Sequence, residues 1–184
     1  MHIGRKGRQI MRQFITGFIA ALALILAGGY ACISSGLIPV ATASPSLPFE
    51  KLIAGIALRA KVDKEAPISS PIQPSDDVYL AGAKIYGNDC AVCHGLPGQD
   101  QPAIGKGEFP PPPELFKGKG VSDDPPGHTY WKVANGIRLT GMPAFGGALT
   151  SEQMWQVSLL LANSDKLPPK VTSALQEQAG APAK

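Results

Sequence analysis

Few residues of this chain can bind a metal ion or form a disulfide. The 184 residues include three cysteines, three histidines and four methionines. A zinc site built on two of these cysteines would need further donors, and the sequence has neither a second close cysteine pair nor an HxxxH motif. Charge is missing from one stretch, because residues 14 to 33 contain no Asp, Glu, Lys or Arg. Any metal site built on sulfur or imidazole donors therefore depends on a few residues. The uncharged run is a separate feature.

Positive charge is scarce where a nucleic-acid-binding domain would need it. The net charge of the chain is +3. Residues 76 to 168 nevertheless carry seven Lys and Arg against ten Asp and Glu, so the positive excess lies in the amino-terminal part. This distribution argues against a nucleic-acid partner and gives no support to a strongly basic docking face.

Two of the cysteines lie in the pentapeptide Cys90-Ala-Val-Cys93-His94. CxxCH is the attachment site of a c-type haem, in which both thiols bind the porphyrin covalently and the histidine binds the iron. The other ring nitrogen of His94 needs a hydrogen-bond acceptor, and we expect a backbone carbonyl between residues 95 and 126. A thioredoxin-like pair, a zinc site and a plain disulfide are the alternatives, although no strand is predicted before the motif.

The sixth iron ligand is predicted to be Met142. It lies between Gly141 and Pro143, which favour a fixed non-helical turn, and a thioether is a soft donor that favours reduced iron. His128 is the rival ligand. The other methionines precede or enter the apolar amino-terminal run or, like Met154, belong to an apolar helical pattern.

Three further residues are candidates for contact with the cofactor. Tyr130 and Trp131 lie in a short helical pattern that ends at Gly136, and we expect this aromatic pair to face the haem. Arg138 could neutralise a haem propionate. Ordinary core packing or surface exposure is the alternative for each of the three.

Taken together, these motifs resemble a class I monohaem cytochrome c. The resemblance rests on Gly82-Ala-Lys-Ile-Tyr86, on the haem motif followed by Gly95, on Gly141-Met142-Pro143, and on an aromatic-rich last helix capped by Thr150. It covers residues 76 to 168. It implies an all-α fold around one covalent haem c, His/Met ligation, and a crossing of the first and last helices at Gly82.

The rest of the chain is predicted to place this domain at a membrane. We assign residues 1–12 to a basic cytoplasmic end, 13–38 to a transmembrane anchor or uncleaved signal, and 39–75 to a tether with an amphipathic helix at about 49–61. Residues 169–184 are predicted to be a disordered tail. The haem domain would then lie in the periplasm, on a single-pass protein of the cytoplasmic membrane. Cleavage after Ala43, and lipidation of Cys32 after cleavage, are the alternatives.

The predicted function is electron transfer and not catalysis. Redox proteins are the expected partners: a dehydrogenase or quinol-oxidising complex on one side and a terminal acceptor, such as an oxidase, on the other. The alternative is an electron-transfer subunit of a multisubunit dehydrogenase or respiratory complex. A gas-binding haem would need an open sixth position, and a peroxidase would need a second haem, which one CxxCH motif does not supply.

Overall fold

The computed structural model describes residues 3–118 and 120–180. These residues form helices joined by turns and loops, and they contain no β-strand. The chain divides into two compact units, Met1–Leu47 and Pro48–Lys184. The all-α class predicted from the sequence is therefore confirmed.

One long helix dominates the first unit. Helix α1 spans Ile3–Ser34, and its part Lys6–Ser34 is long and apolar enough to cross a membrane, by length and composition. The predicted basic end forms the first turns of this helix, apart from Met1 and His2, which lie outside the described residues. The helix ends four residues before the predicted end of the span at 38.

The second unit contains seven helices in the part of it that the structure describes. They are α2 (Glu50–Glu65), α3 (Asp76–Ile85), α4 (Ala91–His94), α5 (Ala103–Gly107), α6 (Pro126–Asn135), α7 (Ser151–Ala162) and α8 (Pro169–Gly180). One wider π-helical turn, Tyr86–Cys90, joins α3 to α4. Helix α6 has Pro126 in its first turn, where a missing N–H costs nothing, and its C-cap is Gly136, where the helical pattern was predicted to end.

The core forms where α3 crosses α7. Gly82 lies at the crossing, and a Cβ atom built on it would be 2.4 Å from the backbone oxygen of Gln156. The two helices can therefore approach this closely only because residue 82 has no side chain. The predicted close packing at Gly82 is confirmed, and the surrounding core includes Ala83, Val157 and Leu160.

Both crossing helices begin at capping residues, and Thr150 at the start of α7 is the cap that the sequence predicted. The Ser75 hydroxyl accepts a hydrogen bond from the Val78 amide at 3.3 Å. At α7, the Gln153 amide donates to the Thr150 hydroxyl while the Gln153 side chain accepts from the Thr150 amide, which is a complete capping box. Each cap satisfies amide groups that the first helical turn leaves unpaired.

The prediction of a disordered tail from residue 169 is wrong for the described residues. Helix α8 packs on α3, and Val171 and Leu175 are fully buried. Lys170 pairs with Asp76 at 3.0 Å, and the Gln178 side chain donates to the Ala83 carbonyl. A few apolar residues at helical spacing suffice here, because α3 supplies the surface that buries them. Residues 181–184 lie outside the described residues.

The tether is also more ordered than predicted. The amphipathic helix predicted at about 49–61 extends to Glu65 and packs against α6, where Val62 is buried. The backbone oxygen of Pro67 would lie 1.8 Å from a Cβ atom on Gly127, so the chain beyond α2 lies directly on α6. The compact unit therefore begins at Pro48 and not at residue 76.

Candidate haem site

The two thiols and the imidazole of the CxxCH motif are delivered by the end of α3. The wider turn Tyr86–Cys90 separates α3 from the single turn of α4 that carries Cys93 and His94. Cys90, Cys93 and His94 all line one cavity of about 330 Å³. This volume falls in the range of roughly 300–1,000 Å³ that is typical of pockets for small molecules and cofactors.

Tyr86 fixes the backbone that follows His94. Its ring is fully buried and packs edge-on against Phe116, with centroids 4.9 Å apart. Its hydroxyl donates to the Gly95 carbonyl at 2.6 Å, and burial raises the pKa of Tyr86 well above its usual value. The hydroxyl therefore stays protonated and holds Gly95, whose φ of 78° suits a glycine.

Burial also controls the two thiols. It raises the pKa of Cys90 to about 12, and burial together with a hydrogen bond to Glu108 raises the pKa of Cys93 to about 11. Helix α5 lies against this turn, because a Cβ atom on Gly105 would be 2.2 Å from the Cys93 carbonyl oxygen. Both cysteines are thus partly buried at the cavity wall.

The proline-rich loop supplies the acceptor for His94. The Nδ1–H of His94 donates to the carbonyl oxygen of Pro113 at 2.8 Å. Gln101 holds the preceding residue, since its side-chain amide donates to the Pro112 carbonyl at 2.6 Å. A carbonyl can only accept, so Nδ1 carries the proton and the lone pair of Nε2 is left for a metal. The sequence predicted a carbonyl in this loop, and the structure identifies it as that of Pro113.

Met142 lines the same cavity as His94 and both cysteines. Its loop is fastened to the end of α6: the Ile137 amide donates to the Met142 carbonyl at 3.2 Å, and the Phe145 amide donates to the Val133 carbonyl at 2.9 Å. Gly136 ends α6 with a φ of 65°, and a Cβ atom there would lie within 3 Å of the Met142 segment. The thioether is thus presented from a backbone held at several points.

His128, the rival ligand, lies elsewhere. Its Nε2 is 3.7 Å from a carboxylate oxygen of Asp63 on α2, and it is not among the residues that line the cavity. Met154 is buried in the core, as its helical pattern predicted.

The structure does not bring the three other predicted cofactor contacts to the cavity. Tyr130 stacks on Trp155 with centroids 4.4 Å apart, and its hydroxyl lies 3.1 Å from that of Ser151. The Trp131 indole donates to a Glu65 carboxylate oxygen at 3.3 Å. Arg138 is exposed. None of the three lines the cavity. For Tyr130 and Trp131 the reason is that α6 turns a different face toward it, and Arg138 lies in the loop after α6.

The face of α6 at the cavity consists of Thr129, Lys132 and Val133. They follow the i, i+3, i+4 spacing of one helix side, a signal present in the sequence but masked by the adjacent aromatic pair. The Thr129 hydroxyl oxygen is buried and has no hydrogen-bond partner among the described residues. The Nζ of Lys132 lies 3.4 Å from a carboxylate oxygen of Asp124.

These residues fit a covalent haem. Two sulfur atoms and an oriented imidazole lie on one side, a thioether lines the same space, and apolar side chains such as Leu115, Val157 and Leu161 complete the walls. The unpaired Thr129 hydroxyl is the kind of group that a bound ligand satisfies, since an unpaired buried hydroxyl costs about 1–3 kcal/mol. The cavity is therefore suited to a flat apolar ring with a few polar groups.

Part of this chain is similar to a protein family and to a solved structure. The family model described as cytochrome c oxidase, cbb3-type, subunit III matches residues 77–159. A solved chain of the reducing HAO-like protein complex Kustc0457/Kustc0458 of Kuenenia stuttgartiensis is 24% identical, with a TM-score of 0.46, over 54% of this chain and 49% of that chain. The chain thus spans about half the length of that relative. No curated protein matches it.

Proposed function

We propose that this chain carries a monohaem c-type cytochrome domain with one covalent haem c and that it is a membrane-tethered electron carrier. One observation carries the proposal: His94 and Met142 line the same cavity as the two cysteines of the attachment motif. The bound haem supplies one-electron redox chemistry, and the residues around it hold and tune it.

Under this proposal each residue has a distinct task. Cys90 and Cys93 would hold the haem covalently, and His94 would bind the iron through Nε2, while the Pro113 carbonyl accepts the hydrogen bond of Nδ1–H. Met142 would supply a second iron ligand from the loop after α6, which is held by backbone hydrogen bonds. Ligands held in this way would rearrange little on reduction, which would suit a carrier better than a catalyst.

Helix α1 supports the membrane part of the proposal. It is long and apolar enough to span a bilayer, and Arg5, Lys6, Arg8 and Arg12 lie at its amino end. Positive residues favour the cytoplasmic side, so the haem domain would lie in the periplasm. Attachment keeps the carrier near its membrane partners and raises its effective concentration there.

A second candidate is an electron-transfer subunit of a multisubunit respiratory complex. The specific observation in its favour is the family model that matches residues 77–159, whose description is that of an oxidase subunit. Purification in mild detergent distinguishes the two. A carrier elutes alone, whereas a subunit elutes with other chains in fixed proportion.

Ligand exchange tests the proposed carrier. The oxidised full-length haem protein is expected to show the sulfur-to-iron charge-transfer band, and the reduced protein is expected not to bind carbon monoxide rapidly. Met142→Ala should lose the band and bind carbon monoxide. Met154→Leu is the matched control, because Met154 is buried in the core and should leave both properties unchanged. Rapid carbon monoxide binding by the unaltered protein would refute the proposal in favour of a gas-binding haem.

A further inference from the structure

Helix α2 has two opposite faces, and one of them is docked on the haem domain. Leu58 lines the haem cavity, Val62 is buried against α6, and Glu65 accepts the hydrogen bond of Trp131. Two helical turns before Leu58, on the same side of α2, the ammonium of Lys51 lies 5.7 Å from the centre of the Phe109 ring. Residues 51, 58, 62 and 65 follow helical spacing, so one continuous face of α2 covers the edge of the haem site.

The opposite face is apolar and uncovered. Leu52, Ile53 and Ile56 lie on one side of α2, Phe49 is the N-cap residue just before the helix, and each of the four is between 58% and 71% exposed. Leu58 is two residues beyond Ile56, which is about 200° around the helix. An amphipathic helix on a soluble domain normally buries its apolar side and leaves its polar side in water. Here the more apolar side is the outer one.

Exposed apolar residues continue along the chain toward α1. Leu37, Val40 and Leu47 are exposed in the 14 residues, 35 to 48, that join Ser34 to Phe49. Such a link reaches at most about 50 Å when fully extended, so its length permits Phe49 to lie at the bilayer surface. The apolar face is therefore continuous in sequence with the segment that spans the membrane.

We propose that the face formed by Phe49, Leu52, Ile53 and Ile56 lies in the lipid interface of the membrane that α1 crosses. This orients the domain so that the haem edge covered by Leu58 is held beside the membrane surface. The proposal rests on the membrane attachment in the proposed function and adds to it a fixed orientation of the haem site.

The charges around this face favour lipid over a second protein chain. Arg59 and Lys64 flank the apolar residues toward the end of the helix, where their cationic groups can reach anionic headgroups. The carboxylate between them, Asp63, lies 3.7 Å from the Nε2 of His128 on α6. Bulky apolar side chains bordered by cations are typical of helices that lie in the plane of a bilayer surface. Short helices of this kind bind lipid weakly alone, but α1 supplies the second attachment.

Spin labelling of the full-length haem protein tests the orientation. The protein carries Cys32→Ala and Ile56→Cys and is reconstituted in vesicles of phosphatidylethanolamine and phosphatidylglycerol. The haem is reduced and excess reductant is removed before labelling, because low-spin ferric iron is paramagnetic and would disturb the label, whereas low-spin ferrous iron is diamagnetic. Collision with oxygen, which enters lipid, is compared with collision with a water-soluble nickel chelate. We expect the ratio of oxygen to nickel collisions to be several-fold higher at position 56 than at Lys84→Cys, an exposed control position on α3.

Each other outcome overturns the proposal. Equal ratios at positions 56 and 84 would mean that the face lies in water. A label at position 56 shielded from both reagents would mean that protein covers the face, from a partner or a second copy. Protein that does not float with the vesicles would refute the anchor, and a sulfur-to-iron charge-transfer band in this unbound protein after oxidation would show that the carrier assignment survives. An unchanged haem absorption spectrum shows that the variants are folded.

Discussion

The Nδ1–H of His94 donates to the carbonyl oxygen of Pro113 at 2.8 Å, across 19 residues of sequence. This one bond ties the attachment motif to the proline-rich loop. It sets the tautomer of the imidazole and the plane of its ring. The loop is held in turn by Gln101, which donates to the Pro112 carbonyl at 2.6 Å.

Loosening this support should disturb the imidazole. We expect Gln101→Ala to lower the free energy of unfolding by about 1 kcal/mol, the net value of a typical hydrogen bond, and to alter the hyperfine-shifted proton NMR signals of His94. Denaturant unfolding measures the first effect. Gln176→Ala, at an exposed position of α8, is the control. Identical NMR spectra for Gln101→Ala and the unaltered protein would show that the loop does not orient the ring.

Gly82 is expected to be far less tolerant of a methyl group than Gly55. A Cβ atom at position 82 would be 2.4 Å from the Gln156 backbone oxygen, so α3 and α7 would have to separate. Gly82→Ala should destabilise the domain by about 1–3 kcal/mol or more. Gly55 in α2 has nothing within 4 Å, and Gly55→Ala should stabilise by about 0.5–1 kcal/mol through helix propensity. Thermal unfolding compares the two variants. Equal changes in melting temperature would show that the close crossing of α3 and α7 does not matter.

The Thr129 hydroxyl should contribute to the reduction potential. It is buried at the cavity wall without a partner among the described residues, so a bound haem is the group it can serve. A hydrogen bond donated to the haem would place partial positive charge against it and favour the reduced state. Thr129→Val should therefore lower the reduction potential, so that the equilibrium constant for reduction falls by about twofold to tenfold. Thr129→Ser keeps the hydroxyl and should stay close to the original value in redox titration. Equal potentials for all three proteins would contradict this role.

Helix α8 should contribute to stability even though its sequence resembles a polar tail. Leu175 is fully buried, and Leu175→Ala should cost about 2–5 kcal/mol by creating a cavity. Ser173→Ala, at an exposed position on the same helix, should change stability by less than about 0.5 kcal/mol. Denaturant unfolding compares the two, and a harmless Leu175→Ala would mean that the helix is not docked in solution.

Docking of α2 through Glu65 should depend on pH. Its carboxylate accepts hydrogen bonds from Lys61 and Trp131, and the bond from Lys61 is the main reason that the pKa of Glu65 is lowered. Because this pKa is lowered, the ionised carboxylate stabilises the folded state above the unfolded-state pKa, and this stabilisation is lost as the pH falls through the folded-state pKa. Glu65→Gln should therefore lower the melting temperature at neutral pH and match the unaltered protein well below pH ~4. Glu177→Gln, at an exposed position of α8, is the control. A difference in melting temperature between Glu65→Gln and the unaltered protein that did not change with pH would contradict this role of Glu65.

The sequence alone was sufficient for the features that depend on neighbouring residues. CxxCH identifies the cofactor because the two thiols and the imidazole act within a single turn. The capping box at Thr150 and the cap at Ser75 are likewise local. The glycine at position 82 was informative because a helix interior tolerates glycine only at a cost, which suggests a close contact.

Tertiary structure decided what depends on distant surfaces. Tyr130 and Trp131 were expected at the haem, but Trp155 and Glu65 bind them on the other side of α6, so Thr129 and Lys132 face the cavity instead. The segments assigned to a tether and a disordered tail became α2 and α8 because α6 and α3 bury their few apolar residues. Burial is a property of two surfaces in contact, and the sequence of one segment describes only one of them.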